Sequence, residues 1–182
     1  MERTLRVLGL TLGLLLALVS GALASSVHLK GGRNAKPTFT DTGLTLTAAG
    51  ELAGLGNGDV VLTLSAQAQA TAICTTPSGA TQPPGQNPAP VTVTGTTAIP
   101  ASAIKNGATP FSVTTQPPPT PIPGAPDCPN PRWTEAITDL AFTSAVITVT
   151  QGGATVLTIT CTVSPPTTNG GVPPRSVTCQ AG

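Results

Sequence analysis

The sequence predicts an all-β protein: a two-sheet β-sandwich with long proline-rich loops and two disulfides. Three observations carry this reading. Apolar and polar residues alternate with period two in many short stretches, and no stretch holds a helical period. Glycine, proline and asparagine interrupt those stretches at short intervals, as turns between strands require. Four cysteines stand downstream of a segment with the features of an export signal, which places them where disulfides form and persist.

That segment comes first in the chain. Arg3 and Arg6 give a positive start, residues 7–19 are almost purely apolar, and Ala22 and Ala24 supply small residues before a cleavage point between Ala24 and Ser25. The apolar run is too short to cross a bilayer comfortably. The arginines are not adjacent and the residue directly after the cleavage point is Ser25 rather than a cysteine, so neither a twin-arginine route nor a lipid anchor is expected. The expected organisation is a cleaved signal peptide over 1–24, a flexible mature N-terminus over 25–37 and a single β-sandwich domain over 38–182. The expected location is secreted and extracellular, with no membrane attachment after cleavage.

The strand pattern is clearest over 60–74. Val60, Leu62, Leu64, Ala66, Ala68, Ala70, Ala72 and Cys74 fall on one face, and Thr63, Ser65, Gln67, Gln69 and Thr71 on the other. The small alanines predict something bulky, or a second sheet at close range, opposite them. Upstream, Leu44 and Leu46 alternate with threonines, and Asn57-Gly58 is expected to supply the positive φ at which the chain reverses. Val91 with Val93, and Phe111 with Val113, mark two further strands.

The C-terminal third reads as a hairpin around Gly152-Gly153. A two-residue Gly-Gly loop would pair Gln151 with Ala154 and set Val149 opposite Val156, leaving Leu157 and Ile159 on the wrong face. A three-residue loop is therefore expected, pairing Val149 with Leu157 and Ile147 with Ile159. Leu140 and Phe142 sit out of phase with Ile147 and Val149, which predicts a bulge near Ser144. Residues 176–180 form a last short strand. The stretches 77–90 and 116–131 are too rich in proline to be core strands and read as stiff surface connections.

Cys74, Cys128, Cys161 and Cys179 allow three pairings, of which Cys74–Cys128 with Cys161–Cys179 joins sequence neighbours and is the expected one. Metal ligation is a poor alternative, with no CxxC pair and a single histidine, His28. The sandwich is immunoglobulin-like only in a loose sense, because Trp133 lies far from Cys74, whereas an immunoglobulin domain sets a tryptophan shortly after its first cysteine.

Composition narrows the functions. Only 8% of residues are charged, and acids and bases balance after residue 24, which leaves no electrostatic footprint for nucleic acid or an anionic membrane. No nucleophile, metal or phosphate-loop motif appears. The acids Asp41, Glu51, Asp59, Asp127, Glu135 and Asp139 would permit a two-carboxylate hydrolase, but one Trp, three Phe and no Tyr leave few sugar platforms. Gly56-Asn57-Gly58-Asp59 resembles one copy of a calcium-binding turn, and Asp41 would approach Asp59 if their strands paired. Lys30, Arg33 and Lys36 give the mature N-terminus a mild positive charge, and Lys36 and Lys105 are the candidates for an isopeptide crosslink. Trp133 is the one large aromatic that would serve as an exposed interaction anchor or as a cap on the sandwich.

No catalytic, cofactor-binding or metal residue is therefore assigned. The expectation is a non-catalytic extracellular protein that binds an unidentified macromolecule or the cell envelope, in an oligomeric state the sequence does not define. In its Ala, Thr, Gly and Val content, scarce aromatics and two disulfides, the chain also resembles the neocarzinostatin-type chromoprotein apoproteins. That resemblance implies an alternative, a carrier of a small apolar ligand, with the row Ala66, Ala68, Ala70 and Ala72 as its pocket wall. Intact mass tests the framework: the exported protein begins at Ser25, and reduction adds four hydrogens. A chain retaining residues 1–24, or one with free thiols before reduction, contradicts it.

Overall fold

The computed structural model describes residues 27–32, 34–82, 89–119 and 128–182. The expected signal peptide, the cleavage pair Ala24 and Ser25, Arg33, Asp127 and parts of both proline-rich stretches lie outside the described residues. Eleven strands follow in order: β1 (His28–Leu29), β2 (Thr38–Asp41), β3 (Leu46–Ala53), β4 (Val60–Thr75), β5 (Thr81–Gln82), β6 (Val91–Ile99), β7 (Thr109–Thr114), β8 (Thr134–Gln151), β9 (Ala154–Val163), β10 (Gly170–Gly171) and β11 (Val177–Ala181). Two short 3-10 turns, Ala101–Ala103 and Pro174–Ser176, are the only helical segments among the described residues.

The strands form two antiparallel sheets. In the first, sheet A, β3 is flanked by β7 on one side and by β2 and β1 on the other, with β10 beyond β2. Sheet B runs β11–β9–β8–β4, with β6 and then β5 on the far edge of β4. The inward residues of both sheets share one core, which includes Phe39, Leu46, Leu52, Leu62, Leu64, Val113, Phe142, Ile147 and Ile159. This is a two-sheet β-sandwich. Part of the expected flexible leader belongs to it: His28 and Leu29 pair with Ala53 and Leu52, and Leu29 is buried.

The β4–β8 ladder is the longest. It runs from Val60↔Gln151 to Thr75↔Thr134, and β8 uses 18 residues where β4 uses 16. The two extra residues are bulges at Thr143 and Thr138. Each bulged threonine turns its hydroxyl to a β4 carbonyl, Thr143 to Gln67 and Thr138 to Thr71, both at 3.3 Å. The bulge expected near Ser144 is therefore present, one residue away, and a second follows it. Phe142, the largest fully buried side chain among the described residues, stands directly across from Ala68 on the same face. Large and small side chains thus stand side by side at this point of the ladder.

The β8–β9 hairpin has the expected pairs, Val149↔Leu157 and Ile147↔Ile159, but reaches them by another route. The loop has two residues, not three. Gln151 pairs with Ala154 around Gly152 (φ 61°) and Gly153 (φ 82°), and Val156 is an extra residue that restores the apolar phase. A second correction concerns residues 54–59. β3 and β4 lie in different sheets, and the residue with positive φ is Gly54 (φ 78°), not Asn57 or Gly58. This connection is a crossover held by Gln151, whose side-chain amide bonds Gly56 N–H (2.9 Å), Gly56 C=O (3.1 Å) and Gly58 C=O (2.7 Å).

Two joints close the sandwich. At one edge, Thr115 donates its N–H to the Leu46 carbonyl and accepts the Leu46 N–H on its hydroxyl, both at 3.0 Å, while Gln116 donates to the Thr94 carbonyl of β6 at 2.8 Å. Consecutive residues thus tie sheet A to sheet B. Gly95 makes the approach feasible, because a Cβ there would overlap the Thr114 carbonyl. At the other edge of sheet A, Asp41 accepts the Gly43 N–H (2.8 Å) and the Thr167 hydroxyl, and Thr167 accepts the Phe142 N–H (2.8 Å).

The disulfides are Cys74–Cys128 and Cys161–Cys179, as expected. Cys161 and Cys179 are direct partners across β9 and β11, so this bridge lies within one sheet rather than between two as in an immunoglobulin domain. The Gly95 joint yields a sharp expectation. Gly95→Ala forces backbone apart at the β6–β7 contact, so thermal unfolding should show a loss of several kcal/mol, larger than the roughly 1–3 kcal/mol typical of overpacking. A melting temperature within a few degrees of the parent would mean that the joint is not tight.

Candidate functional site

The charged residues that a catalytic reading would use are dispersed. Asp59 lies at the start of β4 and caps the turn at Ala101, accepting its N–H at 2.7 Å. Asp41 sits beside Gly43, which bonds Leu140, and Leu140 lies toward the opposite end of the β4–β8 ladder. Asp41 and Asp59 therefore stand about ten residues of β4 apart, roughly 33 Å, and their strands do not pair. The 56–59 turn is held by Gln151 rather than facing a second acid. No group of three or more His, Cys, Asp or Glu positioned for a metal occurs among the described residues.

Asp41 and Asp139 do approach each other. Gly43 lies between them: its N–H meets Asp41 Oδ1 at 2.8 Å, and a Cβ built on it would lie 3.6 Å from Asp139 Oδ1. Asp41 is only 2% exposed and both of its oxygens are engaged, so it serves the joint rather than an open cleft. Glu135 faces the same side of sheet B as its partner Cys74 and is also buried. Its Oε1, like Asp139 Oδ1, has no hydrogen-bond partner among the described residues.

His28 is on β1 in the outer face of sheet A. Lys36 is exposed and donates to the Val177 carbonyl, and Lys105 is exposed at the base of a turn, so neither lies in the core. Trp133 is half-buried in the turn that leads into β8. Ala66 and Ala68 are fully enclosed in the core, and neither described depression is lined by the alanine row.

What the topology does assemble is a surface. The polar half of the alternation lines up across sheet B into lateral rows set by strand register. One row is Thr96, Thr63, Thr148 and Thr158. The next is Thr94, Ser65, Val146, Thr160 and Gln180, and the third is Thr92, Gln67, Ser144, Thr162 and Thr178. None of these residues is buried and none is charged. Strand geometry spaces their side chains at about 4.8 Å between strands and about 6.7 Å along each strand. Alternation along 60–74 marks the β4 line of this face in the sequence. The rows themselves depend on register between distant strands, which no local pattern gives.

Two depressions open elsewhere. One of about 540 Å³ lies on the outer face of sheet A between Lys30, Glu51, Lys105, Asn106 and Pro110. The other, about 150 Å³, lies among Pro165, Pro166, Thr167, Val172 and Pro173. Among the described residues no helix is long and apolar enough to cross a membrane. Compared with protein-family models, curated proteins and solved structures, the chain matches none.

The Asp41 joint gives its own expectation. Thr167→Val removes the hydroxyl that serves both Asp41 and the Phe142 N–H, leaving a buried carboxylate oxygen and a buried donor unpaired. Denaturant unfolding should show a loss of about 1–3 kcal/mol. An unchanged midpoint would show that water replaces the hydroxyl without cost.

Proposed function

We propose that this chain is an exported, non-catalytic protein of the extracellular space or cell envelope, and that it binds a neutral, hydroxyl-rich macromolecular surface such as a polysaccharide. The binding element is the outer face of sheet B. The observation that carries the reading is the register that sets threonine, serine and glutamine into uncharged rows across five strands. The export signal read over 1–24 and the two disulfides support the location.

The physical argument concerns what such a face recognises. Threonine presents a donor and acceptor hydroxyl beside a methyl group, and its β-branched side chain is stiff, so little rotamer freedom is lost on contact. A ladder holds these groups at fixed intervals, and that preorganisation lowers the cost of binding a partner whose own hydroxyls repeat. With no ion to desolvate, the contact is selective against charged polymers and insensitive to salt.

Co-sedimentation with insoluble neutral polysaccharides tests the proposal. The parent protein should be retained equally at low and high salt, and the pair Thr148→Lys with Thr160→Lys should cut retention about tenfold or more by burying charge in the contact. Retention that salt abolishes, retention unchanged by the two lysines, or no retention on any neutral polymer each overturns the reading.

A further inference from the structure

A separate depression lies on the other sheet. The depression of about 540 Å³ on the outer face of sheet A is lined by Lys30, Glu51, Lys105 and Asn106 over a floor of Ala53, Ala103, Ala108 and Pro110. Its volume falls within the range of small-molecule sites. Charged residues are scarce in this chain, yet two bases and an acid from three separate segments meet here.

The walls are preformed. Glu51 and Pro110 are direct partners across β3 and β7, which fixes the floor. Lys30 is held in place by its N–H to the Glu51 carbonyl (2.8 Å) and by its ammonium to Glu51 Oε1 (2.7 Å). Opposite them, Lys105 and Ala108 exchange two backbone hydrogen bonds, at 2.8 and 2.9 Å, around a turn in which Asn106 (φ 51°) and Gly107 (φ 72°) are both left-handed. Asparagine and glycine are the residues that take this conformation at least cost. The turn is anchored in its turn by Leu55 N–H to the Gly107 carbonyl at 2.9 Å. Gly107 is packed closely enough against the Leu55 carbonyl that a side chain there would crowd it.

The charge balance selects the ligand. Glu51 compensates Lys30, and no acid pairs with Lys105 among the described residues, which leaves the pocket's own side chains one positive charge in excess. A second negative charge on a ligand would face Glu51. The Asn106 amide adds donor and acceptor groups, and the small apolar floor accommodates a compact body. The geometry points to a binding site for a small monoanionic carboxylate of about sugar size, a uronic acid being the type, with Lys105 and Asn106 as the groups that hold the carboxylate.

Amide chemical shifts of the ¹⁵N-labelled full protein, titrated with D-glucuronate and separately with D-glucose, test this. Glucuronate should move the amides of Glu51, Asn106 and Gly107, and glucose, which has the same body without the carboxylate, should not. Lys105→Gln should weaken the glucuronate response about tenfold, the value of one charge-assisted contact. Arg175→Gln, a change at an exposed base outside the depression, should leave it unchanged. Lys30→Gln provides a second reading should Lys105→Gln disturb the turn, and the same spectra report folding of each variant. Equal responses to the two sugars, no response to either, or a glucuronate response that survives both lysine changes overturns the assignment.

Discussion

The ladder between β4 and β8 is the constraint from which the rest of the molecule follows. It pairs residues some 60 to 90 positions apart, so it cannot form locally, and it gives sheet B its central seam. β4 keeps one phase along its whole length, with every even-numbered residue from Val60 to Cys74 facing in. β8 changes phase twice and absorbs each change in a bulge. The bulges let Ile147, Phe142 and Ile137 face the same side despite their sequence parity. β6 and β9 then add to the outer edges of this pair, and β11 to β9. The core on one side and the neutral face on the other are the two halves of a single alternation.

Sheets that pack face to face still need their edges joined, and this chain uses buried threonines for that purpose. Thr115 and Thr167 are among the few buried polar residues described, and each hydroxyl accepts a backbone N–H from a neighbouring segment. Valine would match the shape but leave the N–H unpaired, which is why a buried hydroxyl at such a point is worth more than its size suggests. At the first joint the backbones come so close that only glycine fits at position 95. The second runs through Asp41, so a carboxylate that resembles a catalytic candidate in the sequence turns out to be a fastener.

Much of this was legible in the sequence wherever one residue's phase could be compared with its neighbours'. The strand over 60–74, the hairpin register and a bulge near Ser144 all follow from alternation. The disulfide pairing followed from the order of the cysteines. The misreadings have a common cause. The two-residue Gly152-Gly153 loop keeps the apolar phase only because Val156 is an extra residue in β9, which alternation along the chain does not reveal. Asn57-Gly58 carries the composition of a reversal, but it lies in a crossover between sheets where Gly54 takes the left-handed conformation. β1, β5 and β10, with two residues each, are too short for any period to show. Both proposed ligand surfaces were hidden for a further reason. They are assembled from residues far apart in the chain, and only cross-strand register brings those residues together.

The two surfaces also differ in kind, and the architecture keeps them apart. The three hydroxyl rows on the outer face of sheet B carry no charge, whereas the depression on sheet A gathers three charged side chains in one place. A sandwich turns its outer faces in opposite directions, with the sheets about 10 Å apart across a packed core. A partner on one face therefore leaves the other open. Because the core between them is close-packed and its edges are joined by hydrogen bonds and tight backbone contact, occupancy of one face has no soft element through which to alter the other. The expected relation between the proposed sites is independence. On the two proposals, the ligands would sit on opposite faces, at a separation that the packed core between the sheets fixes.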